Sequence, residues 1–317
     1  MQLKWPVELP KYSVAALAVF CLIALTPVWV KSPYWMYLAN TSLAFSVIAI
    51  GLNITNGYLG LLNLAVAGQI GLGAYACALL TLEGVPVPAA LIGSAVAGAA
   101  GSALIFAVFG RLEGFFFGLS TLAAGEIIRL LLRNLEAWTN GVRGLGGYPA
   151  LAESPSISFW ILLTTVAILL AGTALAIRSP VGLVWRAIRE NQMKAAAAGI
   201  RVQRQKLLAF TVSGSIIALG GGYFALLAQY IDPAVSDLKM LVQAVLMVAL
   251  GGLGTIIGPV IGATAITLLP EMLRVTNELR LIAYGIALIL VVLVMPRGVV
   301  GTLIQIKRAR RVRKRRQ

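Results

Sequence analysis

Four amide side chains lie in a stretch of the sequence that is otherwise apolar and rich in glycine. They are Asn53, Asn56, Asn63 and Gln69, and they fall between residues 51 and 80. Amide groups shielded from water need hydrogen-bond partners, so these side chains should face either a wet cavity or a neighbouring helix. The pattern therefore predicts one of two roles. The amides line a path for a polar solute in a broken helix, or they join tightly packed helices.

A carboxylate and a guanidinium follow further along the chain, inside another apolar run. Glu126 and Arg129 are three residues apart, a spacing that brings two side chains to the same face of a helix. One interpretation is a local ion pair that anchors the end of a membrane span. The other is a contact at the external mouth of a path through the membrane.

A basic segment over residues 179–205 differs from every apolar run around it. Pro180 should end the preceding helix, residues 182–198 are good helix formers, and Gly199 is a typical C-terminal stop. The predicted helix is too polar to span a membrane, so it should lie across the cytoplasmic face. Pattern alone leaves two roles open: docking a partner, or capping the bundle while Arg189 and Lys194 touch lipid headgroups.

Several kinds of chemistry are excluded by residues that the sequence lacks. It has no His, only two Cys, and no Gly-Lys dipeptide from which a phosphate-binding loop could be built. Catalytic triads, zinc sites and ATP hydrolysis by this chain itself are thereby ruled out, and no cofactor is expected. The net charge of +15 does not indicate a nucleic-acid partner, because eight basic residues cluster in one tail, 307–316, without aromatic interleaving.

Composition places the chain in a membrane. Of its 317 residues 59% are hydrophobic and 12% are charged, against roughly 45–50% apolar and 25% charged in soluble domains. A membrane-spanning helix needs about 20 apolar residues. The sequence predicts an all-α, polytopic helical bundle of about ten spans, some of them broken or re-entrant. The predicted spans are 13–30, 36–55, 57–82, 86–109, 115–133, 159–178, 206–230, 239–252, 255–270 and 281–297.

The distribution of basic residues sets the orientation. Alternating ten spans from a cytoplasmic N-terminus puts 19 Lys and Arg inside and 7 outside, and an excess of these residues marks the cytoplasmic side. The domain plan is a cytoplasmic N-terminus (1–12), a membrane domain (13–297) and a basic cytoplasmic tail (298–317) that binds anionic lipid. Within the membrane domain, residues 134–158 form an external loop and 179–205 a cytoplasmic segment. A tight cytoplasmic reversal is predicted at the glycines of residues 251–254.

Four blocks in order give the chain a family resemblance. They are the Gly- and Asn-rich stretch 51–80, A-x-x-E-I-I-R with T-N-G-V-R-G-L-G-G-Y-P in 121–149, R-A-I-R-E-N-x-x-x-A-A-x-x-G-I in 186–200, and V-A-L-G-G-L-G-T-I-I-G-P in 247–270. The chain resembles the LivH/LivM family of branched-chain amino acid ABC permeases, most closely its LivM type. The third block is similar to the cytoplasmic coupling segment of ABC-importer permeases.

The resemblance implies a fold like that of type II ABC importers, a bacterial inner-membrane location and a set of partners. These are a LivH-like second permease, two cytoplasmic ATPases that bind the ATP, and a periplasmic solute-binding protein. It assigns ATPase coupling to Arg186, Arg189, Glu190, Asn191, Lys194, Ala198 and Gly199. The translocation path would use Asn53, Asn56, Asn63, Gln69 and Glu126.

The sequence departs from the family pattern at residues 63–69. The family commonly shows S-L-G-H-A-A-F-F here, whereas this chain reads N-L-A-V-A-G-Q-I, so the His is absent and Asn63 and Gln69 bring amides instead. Branched-chain or related amino acids are the expected solutes, and urea or a short-chain amide is the alternative within the same importer class. Two other classes stay open: an ion-coupled secondary transporter, and a channel or scaffold.

Overall fold

The computed structural model describes residues 32–272, with side chains up to residue 268. The predicted N-terminal segment, the spans 13–30 and 281–297, and the basic tail lie outside the described residues. Most residues of the described part are helical, and two short strands form a two-residue ladder. Its helices are α1 (Pro33–Asn53), α2 (Val66–Leu82), α3 (Val87–Phe109), α4 (Gly114–Asn134), α5 (Glu136–Thr139), α6 (Pro155–Arg178), α7 (Pro180–Glu190), α8 (Gln192–Ala197), α9 (Val202–Ala228), α10 (Leu238–Gly251) and α11 (Gly258–Met272).

Within residues 32–272, five helices are long and apolar enough to cross a membrane. They are Pro33–Leu59, Val87–Phe109, Gly114–Asn134, Pro155–Arg178 and Val202–Ala228. Three shorter apolar helices, α2, α10 and α11, complete the bundle. The central helix is α9, which packs against α1, α2 and α3, while α11 and α6 pack on other sides of α1. Because α1 is enclosed in this way, it is buried along nearly all of its length.

The prediction of about ten spans, some of them broken or re-entrant, is not confirmed as a count, because two of the predicted spans lie outside the described residues. The predicted spans 239–252 and 255–270 correspond to the short helices Leu238–Gly251 and Gly258–Met272. The expectation that some spans are broken is confirmed at the predicted span 57–82. Its first residues continue α1 as a π-helix, Ile54–Leu59, and α2 begins only at Val66. The intervening residues 60–65 are non-helical because Gly60 is left-handed, with φ at +73°, and ends the π-turn.

Glycine permits unusually close helix contacts in the bundle. A Cβ on Gly73 of α2 would lie 1.9 Å from the Ala218 carbonyl oxygen of α9, and one on Gly262 of α11 would lie 1.7 Å from that of Met247 in α10. A close reversal between α10 and α11 was predicted from the glycines of residues 251–254. The structure confirms it, with positive φ at Gly252 and Gly254.

A small ladder marks one end of the bundle, called here the ladder end. Leu145–Gly146 pairs antiparallel with Tyr230–Ile231, so the connection between α4 and α6 is held against the end of α9. The predicted loop 134–158 thus contains the helix α5, a 3-10 turn (Gly141–Arg143) and this strand, and α6 begins earlier than expected, at Pro155. The opposite end carries the helix break at residues 60–65 together with α7 and α8, and is called the break end.

Candidate functional site

The break after α1 is stabilised by side chains that replace missing helical hydrogen bonds. The Asn63 backbone N–H donates to the Asn56 side-chain oxygen over 2.9 Å, and the Ala65 N–H donates to the Asn63 side-chain oxygen over 3.0 Å. The Leu64 N–H donates to Thr121 Oγ1 of α4 over 3.1 Å. Backbone groups shielded from water need such partners. The asparagines therefore allow a non-helical segment inside the bundle.

Two of the predicted amides belong to a chain of hydrogen bonds that runs from the break through α2 to α3. Asn63 Nδ2 donates to Gln69 Oε1 over 3.0 Å, and Gln69 Nε2 donates to Ser102 Oγ of α3 over 2.8 Å. Asn63, Gln69 and Ser102 are fully buried. In this conformation both amides thus serve as links between elements, which is the second of the two roles that the sequence left open.

Asn53 connects the same region to a different part of the chain. Its side chain donates to the Thr255 carbonyl over 2.9 Å and accepts from the Gly254 N–H over 2.8 Å. A side chain near the end of α1 therefore ties down the turn between α10 and α11. Because Asn53 is 2% exposed, these hydrogen bonds satisfy an amide that has little access to solvent.

The basic segment forms two helices rather than the single helix predicted over residues 182–198. α7 spans Pro180–Glu190 and α8 spans Gln192–Ala197, and Asn191 between them has extended backbone angles. The Asn191 side chain accepts from the Lys194 N–H over 2.9 Å and so acts as the N-cap of α8. The two predicted ends are confirmed: α6 stops before Pro180, and Gly199 is left-handed at φ +83°.

α7 is amphipathic and lies against the break end. Trp185 and Ile188 are buried in a small apolar cluster with Ile54, Tyr58 and Phe210, whereas Arg186, Arg189 and Glu190 are exposed. In α8 and after it, Lys194, Ala198 and Gly199 are also exposed, and Asn191 is half-buried. The predicted coupling residues therefore share one accessible end of the bundle.

Arg189 joins this surface to the helix break. Its guanidinium Nη1 donates to the Gly57 carbonyl oxygen in the π-turn. A Cβ on Gly60 would come within 2.8 Å of Arg189 Cγ, and one on Gly254 within 3.0 Å of Nη1. One arginine thus contacts the π-turn, the left-handed glycine and the α10–α11 turn. Together with Arg189 itself, these segments represent three of the four blocks that carry the family resemblance.

Glu126 and Arg129 form the expected ion pair on α4. Arg129 Nε lies 2.9 Å from each carboxylate oxygen of Glu126, and its Nη2 contacts one of them. The Glu126 side chain is 47% exposed and that of Arg129 is 22% exposed. The pair is therefore more accessible than Asn63 and Gln69, which are fully buried.

Some residues of this region were not singled out in the sequence. Ser102 and Thr121 complete the hydrogen bonds at the break. The Gly254 N–H and the Thr255 carbonyl form the hydrogen bonds with the Asn53 side chain. A single hydroxyl in an apolar helix usually bonds its own backbone, so Ser102 and Thr121 gave no local signal. Gly254 was recognised only as part of a turn, since its partner is 201 positions away in the sequence.

The long apolar helices define the chain as a membrane protein. Residues 34–295 match the family described as branched-chain amino acid transport system / permease component. The chain belongs to this family. A permease component moves a solute rather than transforming it, so the chain is not an enzyme. The family and the apolar helices together indicate a multi-pass inner-membrane protein.

Relatives of known name are similar at modest identity. The "High-affinity branched-chain amino acid transport system permease protein LivM" of Escherichia coli (strain K12) is 28% identical over 292 residues, which cover 82% of this chain and 68% of LivM. The permease protein LivH of the same system and strain is 25% identical, covering 81% of this chain and 91% of LivH. The "Autoinducer 2 import system permease protein LsrC" of Klebsiella pneumoniae is 30% identical, over 56% of this chain and 52% of LsrC. No solved structure matches the chain.

Proposed function

We propose that this chain is the membrane-spanning subunit of a binding-protein-dependent ABC importer for branched-chain or related amino acids. The observation that carries the proposal is the contact of Arg189 with the Gly57 carbonyl. It connects an exposed amphipathic helix directly to a break in a buried membrane helix. A partner that shifts α7 would therefore move the backbone at the break.

The coupling mechanism follows from this connection. Two cytoplasmic ATPases dock on α7 and α8 and bind the ATP, and their closure displaces the two helices. Trp185 and Ile188 fix α7 to the apolar cluster, so α7 transmits force as a unit. Arg189 then shifts the π-turn and the α10–α11 turn together. The membrane helices alternate in this way between outward-open and inward-open arrangements.

The docking surface has a form suited to a protein partner. A groove of about 460 Å³ lies beside α8 and is lined by Gln192, Met193, Ala196, Ile200, Arg201 and Arg204. Met193 is 81% exposed, and two arginines, Arg201 and Arg204, contribute to the lining of the groove. Large exposed apolar side chains next to charges are typical of interaction sites. An acidic, partly apolar surface on the ATPase would complement this groove.

The remaining partners follow the topology proposed from the basic residues. With both termini in the cytoplasm, the break end faces the ATPases and the ladder end faces the periplasm. A periplasmic binding protein delivers solute to the ladder end, which includes the loop 134–158. A second, LivH-like permease completes the path, and the basic tail contacts membrane lipid.

The translocation path is proposed to use Asn53, Asn56, Asn63 and Gln69 at the break. Polar groups within a membrane helix bundle often mark the route of a polar solute. In the described conformation these amides bond to protein groups. Movement of the break would expose some of them, and a solute could then replace their present partners.

A neutral amide solute is also compatible with the proposed ABC importer. The His that the family commonly has near residues 63–69 is absent, Asn63 and Gln69 bring amides to this stretch, and amides suit a neutral solute such as urea or a short-chain amide. The import of autoinducer 2 by the system of a similar permease also shows that the solute differs between relatives. An ion-coupled carrier would instead move solute without ATPases.

The decisive experiment combines co-purification with uptake. The chain is produced with its permease, ATPase and binding-protein partners, and the variant Glu190→Arg is compared with wild type. Glu190 is exposed at the end of α7, so charge reversal should abolish ATP-dependent uptake while the subunits still co-purify. Glu83→Arg, an equal charge reversal in an exposed turn distant in sequence from α7 and α8, serves as control.

Two outcomes would contradict the proposal. Wild-type uptake by the assembled complex with Glu190→Arg would show that α7 does not couple the ATPases to transport. Uptake that persists without the ATPases would favour the ion-coupled class.

A further inference from the structure

A buried lysine lies at the break end, in the second turn of α9. Lys206 is only 4% exposed. Val202 and Phe210, one turn before and one turn after it on the same face of α9, belong to the apolar cluster that also holds Trp185 of α7. The Lys206 side chain therefore packs among apolar groups rather than extending into water.

The Lys206 ammonium forms no hydrogen bond or ion pair with the residues that the structure describes. Lysine is almost never fully buried unless it is paired, because a buried charge without a partner destabilises the fold. A group that is unfavourable in one arrangement favours any second arrangement in which it gains a partner. Lys206 therefore directs attention to the nearest acid.

That acid is Glu113, in the connection between α3 and α4. Its carboxylate acts electrostatically on the Lys206 ammonium without forming an ion pair. Glu113 is exposed and is the N-cap residue of α4. Its carboxylate accepts instead from Gln192 Nε2, at the start of α8, over 2.5 Å. Glu113 thus ties the α3–α4 connection to α8 while it lies close to an unpaired cation.

α8 is lightly attached to the bundle. It has six residues, of which only Ala195 is buried, and its N-cap is the neighbouring Asn191. A protein partner that displaces α8 therefore has few buried contacts to break. The hydrogen bond between Gln192 and Glu113 is one of the contacts that such a displacement must break.

We propose that Glu113 is a latch with two partners: it binds Gln192 of α8 in the described conformation and pairs with the Lys206 ammonium when α8 is displaced. This inference rests on the proposed function, because docked ATPases supply the displacement.

The chemistry of the three groups favours this exchange. A carboxylate attracts an ammonium group more strongly than it attracts a neutral amide, and the apolar surroundings of Lys206 strengthen the attraction. The described conformation keeps the bond to Gln192 and leaves Lys206 unpaired. The displaced conformation loses that bond and gains an ion pair. Glu113 thus has a partner in both conformations, and neither is left far above the other in free energy.

Lys206→Met tests the effect of the buried charge. Methionine has a similar length and no charge, so the complete transporter in detergent should unfold at a temperature higher by about 2 °C or more. Uptake should fall about tenfold or more, because Glu113 loses its second partner. Lys239→Met, at an exposed lysine near the start of α10, is the control and should change neither quantity. An unchanged or lower unfolding temperature for Lys206→Met would overturn the proposal.

Glu113→Gln separates the two partners of the latch. The glutamine side-chain oxygen can still accept from Gln192, but it carries no charge that could pair with Lys206. The complex should assemble with its ATPases and lose uptake by about tenfold or more. Glu83→Gln removes an equal charge from an exposed turn and should keep wild-type uptake. Wild-type uptake by the assembled Glu113→Gln complex would overturn the latch.

Exchange of the two charges tests the pairing itself. Glu113→Lys and Lys206→Glu should each lower uptake by about tenfold or more, because each places like charges together. The double variant should recover to within about threefold of wild type, since opposite charges then face each other again. Only complexes that co-purify with their ATPases are compared. A double variant no better than the single variants would overturn the pairing.

The latch fails separately from the proposed function. Uptake that persists without the ATPases would count against ATP-driven import. The unfolding temperature of Lys206→Met requires neither ATP hydrolysis nor solute, so it tests the buried charge whatever drives transport. A raised unfolding temperature combined with wild-type uptake would show a buried charge that plays no part in transport, and would overturn the latch alone.

Discussion

At the scale of single residues, the buried amide chain gives the sharpest prediction for stability. Gln69→Leu removes both hydrogen bonds of a fully buried side chain and leaves Asn63 Nδ2 and Ser102 Oγ without them. Buried polar groups that lose their partners cost about 1–3 kcal/mol each. The purified protein in detergent should therefore unfold at a clearly lower temperature, as followed by tryptophan fluorescence.

Thr164→Val is the control for this variant. The Thr164 hydroxyl is exposed and donates only to the Trp160 carbonyl of its own helix, so its loss should change the unfolding temperature little. Equal shifts for the two variants would mean that the amide chain does not stabilise the break.

Sequence analysis identified the residues at this scale better than it identified their contacts. Asn63 and Gln69 were singled out because amides are rare in apolar runs, and both are buried and bonded. The ion pair of Glu126 with Arg129 followed from spacing on one helix. The contact of Arg189 with Gly57 could not be predicted, because 132 positions separate two residues that no local pattern links.

At the scale of elements, the contact between α2 and α9 depends on a glycine. Gly73→Ala would place a methyl group 1.9 Å from the Ala218 carbonyl oxygen, so one helix must move. Overpacking of this kind typically costs about 1–3 kcal/mol, and a rigid backbone neighbour favours the upper part of that range. We expect reduced yield of folded protein, measured by size-exclusion chromatography of a fluorescent fusion.

Gly172→Ala is the matched substitution in α6. Gly172 is also helical, but a Cβ there has open space around it, and alanine is the better helix former. Its yield should equal or exceed that of wild type. A loss of yield at Gly172 as large as at Gly73 would show that the helix contact is not the cause.

Helix ends were predictable where the chain has strong stop signals and less so elsewhere. The predicted 86–109 and 239–252 agree closely with Val87–Phe109 and Leu238–Gly251. The single helix predicted over 182–198 was wrong because high helix propensity on both sides hid the capping role of Asn191. The π-turn at Ile54–Leu59 depends on the surrounding packing, so periodicity gave no sign of it.

At the scale of the whole molecule, the described helices form a mechanical link from one end to the membrane interior. α7 rests on an apolar cluster that also includes Ile54 and Tyr58 of the π-turn, and Arg189 bonds the turn itself. α1 is buried along nearly all of its length and leads to the ladder end, where the Asn40 side chain donates to the Pro155 carbonyl. A displacement of α7 therefore has a continuous, packed route along which it can act.

Removal of that link should separate ATP hydrolysis from transport. Arg189→Ala deletes the hydrogen bond to Gly57 and the stem that packs on Gly60, but it leaves the buried face of α7 intact. A hydrogen bond from a charged group contributes about 1.5–3 kcal/mol, which corresponds to roughly a tenfold or greater change in an equilibrium. In proteoliposomes the complex assembled with this variant should hydrolyse ATP yet take up solute at a tenth of the wild-type rate or less.

Arg178→Ala is the control. It replaces an exposed arginine at the end of α6, so a complex with this variant should retain both ATP hydrolysis and solute uptake. If Arg189→Ala retained the full ratio of solute moved to ATP hydrolysed, the break would not be the element that α7 drives.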